Sequence, residues 1–120
     1  MASALTIVER QALLDSIGSA AGFVSAHTAA PGETGTNEVT GGSPAYARKA
    51  ATWSAATSAT PSVKALSNSP VIDIPAATTV AFIGLWSLSS GGTFYGYWDV
   101  TDEVFAAQGT YTLTAGTISL

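Results

Sequence analysis

Near the start of the chain, apolar residues recur at spacings of three and four: Leu5, Val8, Ala12, then Leu13 or Leu14, with Ile17 continuing the stripe. That period marks one face of a helix, and Glu9, Arg10, Gln11 and Asp15 fill the polar positions between. Gly18 stands where a helix can end in the left-handed backbone region that glycine adopts cheaply. The pattern predicts a helix over residues 5–17, short enough that packing must hold it more than propensity does.

From Gly22 the signals change to those of strands. Residues 22–28 form a short extended run, and residues 30–43 carry Pro31-Gly32, Thr34-Gly35, Asn37 and Gly41-Gly42, a concentration of turn formers. Residues 45–54 read as a second strand, and the Ala/Ser/Thr-rich stretch 55–69 as a loop or a loosely placed strand. Pro70 and Pro75 bracket Val71-Ile72-Asp73-Ile74, because proline has no amide proton for a ladder. The near-continuous apolar run within 78–87 predicts burial on both faces. Ser89-Ser90-Gly91-Gly92 is a hairpin turn into a strand over 93–100, and residues 108–114 and 117–120 read as a last pair around Ala115-Gly116. The expected fold is mainly β, an antiparallel β-sandwich or distorted barrel with one N-terminal α-helix, in a single domain over residues 1–120.

Composition narrows the function. Apolar residues make up 47% of the 120 and charged residues 10%, against roughly a quarter in ordinary soluble domains. Disorder is excluded, and so little charge leaves surface to be covered by partners. Net charge is −4 and only Arg48-Lys49 are adjacent cations, so nucleic-acid binding is not expected. Absence of cysteine excludes disulfides and thiolate metal sites. There is no signal-peptide pattern and no apolar stretch near the ~18–20 residues that span a bilayer, so no membrane partner is expected.

Candidate chemistry is sparse. His27 is the lone histidine. Ser25 lies on the same strand face but without a nucleophile elbow or a local carboxylate, so a backbone-bonded structural histidine is expected. Asp99, Asp102 and Glu103 could offer oxygens to a cation, but a solvated turn with Asp102 opening a short helical turn is the expectation. Glu33 and Glu38, a conceivable glycosidase pair, sit in a loop without flanking aromatics. Among Trp53, Trp86, Tyr95, Tyr97 and Trp98, half are expected in the core, leaving Tyr95 and Tyr97 as a candidate contact face. No catalytic, cofactor or metal site is expected.

The segment from Val24 to Ser43 followed by Pro44-Ala45-Tyr46-Ala47-Arg48 is distinctive. So are Ile83-Gly84-Leu85-Trp86, Ser89-Ser90-Gly91-Gly92-Thr93, Gly96 and Gly109-Thr110-Tyr111-Thr112-Leu113. As a set they resemble small virion structural proteins of phages, many from actinobacteria, variously described as tail-fibre, minor tail or capsid decoration proteins. The likeness spans nearly the whole chain except residues 55–69. It implies a virion structural role without catalysis, in a particle assembled in the host cytoplasm. The expected form is a trimeric decoration protein that clamps the major capsid protein. The alternative is a tail, tail-tip or fibre subunit that meets tail proteins or a receptor. Leu5, Pro31, Glu33, Asn37, Tyr95 and Tyr97 are the expected contact residues, with the N-terminal arm and the loop 31–43 reaching onto neighbours.

Overall fold

In the computed structural model, which describes residues 5–120, the helix α1 runs over Ile7–Ala20. Thr6 caps it, its hydroxyl accepting from the Glu9 amide at 3.3 Å in the order of a capping box. The helix continues through Gly18 to Ala20 instead of stopping there. That glycine serves close approach: any Cβ on it would overlap the side chain of Lys64, which lies beneath the helix. The Lys64 ammonium, 7% exposed, meets Asp15 at 2.6 Å, and Asp15 also accepts from the Ala56 amide while Gln11 donates to the Ala56 carbonyl. The hydrogen bond from Lys64 holds the Asp15 carboxyl below its ordinary pKa. These polar tethers fix the roll of the helix. Leu14 is buried and Ile17 packs on the core, but Leu5, Val8 and Leu13 of the predicted stripe face outward.

The remaining elements are strands: β1 (Phe23–His27), β2 (Lys49–Ala50), β3 (Val63–Ala65), β4 (Val71–Ile74), β5 (Thr78–Trp86), β6 (Phe94–Phe105), β7 (Gly109–Thr112) and β8 (Thr117–Ser119). One antiparallel sheet has the order β2-β1-β5-β6, and two antiparallel ribbons, β4-β7 and β3-β8, complete the body. Central β5 is mostly buried, as its near-continuous apolar run predicted. Side chains alternate across the sheet, so Val24, Ala26, Ile83 and Leu85 share one face. With Ile72 and Ile74 of β4, Val80, Phe105 and Leu113 they make the apolar core. The layers form an open, two-sided β structure with one helix, and the sheet does not close into a barrel.

Three strand expectations needed correction. The predicted strand 45–54 shrinks to Lys49–Ala50, because the Tyr46 hydroxyl bonds the Ala26 amide of β1 at 3.0 Å where a longer β2 would have paired. β6 runs on to Phe105, so Asp99, Asp102 and Glu103 lie on a strand and open no helical turn. Its register against β5 slips between Val80 and Phe82, where Ala81 alone faces residues 100–102. Finally, β7 and β8 do not pair with each other. The β4-β7 ladder continues as Leu113 N–H to Pro70 O, after which Gly116 passes beneath the Trp98 ring. The Trp98 indole then donates to Thr117 O at 2.9 Å, which directs the last strand to β3.

Truncation at the sheet centre and at its edge should therefore differ sharply. Ile83→Ala, at a fully buried position, is expected to cost about 3 kcal/mol in urea denaturation. Val104→Ala, at a residue 73% exposed, should change the midpoint little.

Candidate interaction surface

The sheet face opposite the apolar core combines a buried polar network with aromatic rings and is covered by the loop between β1 and β2. Ser25, His27, Gly84, Trp86 and Phe94 share this face by register. Ser25 and His27 are wholly buried. The His27 Nδ1 lies 2.7 Å from the Thr36 carbonyl, which only accepts, so Nδ1 carries the proton. His27 Nε2 is then the acceptor for the Ser25 hydroxyl at 2.6 Å, and Ser25 Oγ accepts the Trp86 indole N–H at 2.9 Å. One protonation pattern satisfies every atom, and no buried side-chain polar atom among the described residues lacks a partner. Gly84 leaves the room: a Cβ there would press on Ser25, His27 and Phe94 together.

Outside this chain of bonds sits Arg48. Its Nε and Nη2 engage the two Glu38 carboxylate oxygens at 2.9 Å each, and its Nη1 donates to Leu88 O and Gly91 O in the β5–β6 turn. The guanidinium carbon stands 3.6 Å from the centre of the Trp86 ring. Burial alone would raise the Glu38 carboxyl, but hydrogen bonds from Arg48 and Tyr46 outweigh it and leave the pKa below its ordinary value. Burial, then donation to Glu38, raises the Tyr46 phenol. Glu38 is thus occupied as a strut and Glu33 is an exposed loop residue, an arrangement unlike a pair of acid catalysts. The Ser25–His27 contact also lacks access: neither side chain reaches solvent, so no substrate carbonyl can approach the hydroxyl.

The expected contact residues separate into different surroundings. Pro31 is buried, its carbonyl accepting from Gly35 N, Thr36 N and Thr36 Oγ1, so its side chain forms no outer surface. Asn37 is exposed at positive φ, with its amide donating to Ala30 O. Leu5 is 40% exposed at the start of the helix, and residues 1–4 of the expected arm lie outside the described residues. Tyr97 is part of an aromatic row, edge-on to Phe82 at 5.6 Å and stacked with Phe94 at 6.5 Å, while Phe94 meets Trp86 at 5.0 Å. Tyr95 is the extra residue where the register slips between Leu85 and Trp86. It borders an apolar groove of about 300 Å³ with Ile17, Leu85, Trp98, Ile118 and Leu120. Asp99, Asp102 and Glu103 do not converge, and no cluster of three or more metal-ligating side chains occurs among the described residues. Sequence reasoning missed Arg48 altogether. Its partners are ten and about forty positions away, a separation that no short-range pattern records.

Residues 12–120 match the family described as Podophage GP4 fiber I protein gp80. That span is most of the chain, and the protein belongs to this family. No curated protein and no solved structure matches. The match supports the phage-virion resemblance read from the sequence, and it says nothing of actinobacterial hosts.

Two measurements check the polar face. Gly84→Ala should cost about 2 kcal/mol or more by forcing the buried network apart. Arg48→Met, which strands Glu38, should cost about 3 kcal/mol. The second measurement concerns pH. Burial lowers the His27 pKa from 6.5, so the unfolded chain binds protons more readily. Stability is then full above pH 6.5 and falls as pH drops toward the folded-state value. A urea midpoint that does not decline below pH 6.5, or a decline retained in full by His27→Gln, would contradict this assignment.

Proposed function

We propose that this chain is a structural subunit of a phage fibre that works by binding other polypeptides and carries out no catalysis. The observation that carries this reading is the family match over residues 12–120, whose description names a fibre protein. The placement of its one Ser–His pair in a sealed interior supports the non-catalytic part. The capsid clamp expected from small size and low charge draws no support from a family described by a fibre.

Self-association into a trimer belongs to the same proposal. Val8 and Leu13 project outward from α1 and Leu5 lies exposed just before its cap, at 70%, 45% and 40% exposure, and solvent exposure of such groups is unfavourable when a partner face is at hand. Tyr95 and Tyr97, 39% and 45% exposed, offer a second contact region on β6. Light scattering of the purified chain is expected to give a trimer mass, with association weakened about tenfold or more in Val8→Glu/Leu13→Glu. A monomer at micromolar concentration would remove the trimer. Location is tested by gold-labelled antibody on purified particles. Label on the fibres is expected, whereas label over the capsid lattice would restore the decoration reading.

A further inference from the structure

β6 ends one side of the four-stranded sheet, and no strand among the described residues pairs with its outer edge. At twelve residues it is the longest strand, well above the usual ~5–6. A long bare edge is a template for another chain, and proteins commonly blunt such edges with charge. Here the charge is of one sign. Asp99, Asp102 and Glu103 are all exposed on β6.

Three of the four arginines and lysines are committed to other carboxylates: Arg48 to Glu38, Lys49 to Asp73 at 3.7 Å and Lys64 to Asp15. Arg10, on the helix, reaches only the neutral Thr60 hydroxyl. Among the described residues no cation is paired with Asp99, Asp102 or Glu103. A second copy joined edge to edge is a poor occupant, since pairing two β6 edges doubles the negative charge on one ribbon.

We propose that the outer edge of β6 is a docking edge for an extended, lysine- or arginine-bearing segment of a different polypeptide, added to the sheet as a further strand. Backbone hydrogen bonds to the open edge give the affinity, and the carboxylates select a basic strand over neutral or acidic ones. The register slip at residues 100–102 divides β6, so the incoming strand pairs most evenly along the stretch before it, with Asp99 inside that stretch and Asp102 and Glu103 following it along the same edge strand. This inference does not depend on the fibre reading.

The test uses the whole purified chain and a synthetic peptide of alternating threonine and lysine, about ten residues long. Amide hydrogen exchange is followed across β6 at low salt. The peptide is expected to slow exchange of β6 amides about fivefold or more, and the response should weaken about tenfold in Asp99→Asn/Asp102→Asn/Glu103→Gln. That variant alters only exposed positions, and an unchanged urea midpoint establishes that it folds. A threonine–glutamate peptide and a threonine–lysine peptide methylated at every backbone nitrogen, which cannot donate to a ladder, should give no protection. Equal binding of the methylated peptide would reduce the effect to diffuse charge attraction and overturn the proposal. So would unprotected β6 amides, or β6 protection that grows with protein concentration in the absence of peptide. In intact particles, carbodiimide coupling of carboxylates to lysines is expected to join Asp99, Asp102 or Glu103 to a lysine of another polypeptide. Coupling only to this chain's own lysines would oppose it. Absence of the chain from particles would defeat the fibre reading alone, because the peptide experiment stands without it.

Discussion

The indole of Trp86 has one polar atom and two flat faces, and the polar side of the molecule is assembled around them. Its N–H ends the chain of bonds that runs from the Thr36 carbonyl through His27 and Ser25. Its ring carries the Arg48 guanidinium, and its edge is met by Gly35, where any Cβ would collide with it. A loop with few apolar side chains is thereby held as firmly as a hydrophobic one, through directional bonds in a region closed to water. Removing the indole would take from the buried Ser25 the donor to its oxygen and from Arg48 the ring it lies on.

The two faces of the central sheet consequently rest on different physics. One is apolar: Val24, Ala26, Ile83 and Leu85 pack against the ribbons, an attraction that tolerates small changes of shape. The other is a satisfied polar network, in which a single missing partner exposes the desolvation cost of the rest. Acid reaches the second face first, through His27 and, at lower pH, Glu38, while the apolar face carries no titrating group to respond. The molecule spends its few cations on holding its own parts together, so its outer surface is acidic by default.

Much of the fold was legible because its signals are local. The prolines at 70 and 75 bound β4, the apolar run at 78–86 marks the buried central strand, and Ser89 to Gly92 turn one long strand into the next. On β6 a strict alternation puts Phe94 on the face of Gly96 and Trp98, but the extra residue Tyr95 moves it to the face of Tyr97, while the exposure still alternates through Asp99. Errors arose where a distant residue decided the outcome. Gly18 reads as a helix end until Lys64 is seen beneath it, and residues 45–54 read as a strand until Tyr46 replaces the ladder at Ala26. The pairing of β8 with β3, in place of its sequence neighbour β7, depends on where Trp98 lies. The contact surface was the least legible part. Tyr95 and Tyr97 are exposed, Leu5 leaves the apolar stripe for the surface, Pro31 is consumed in closing its own loop, and the outward roll of α1 is set by Asp15 and Gln11, not by its apolar spacing.

The wiring of the last strands bears on time as well as on stability. Val63 finds its partner at Ser119 and Val71 at Thr112, so neither ribbon can close until chain far downstream has been made. Topologies dominated by such distant pairings fold slowly, in milliseconds to seconds. Contacts that form late, after the rate-limiting barrier, are the ones that retard unfolding, because they must be given up before the barrier is crossed again. A ribbon zipped last would act as a latch. For a component of a particle that waits outside any cell, without chaperones to restore it, persistence is governed by that unfolding rate more than by the equilibrium it defends.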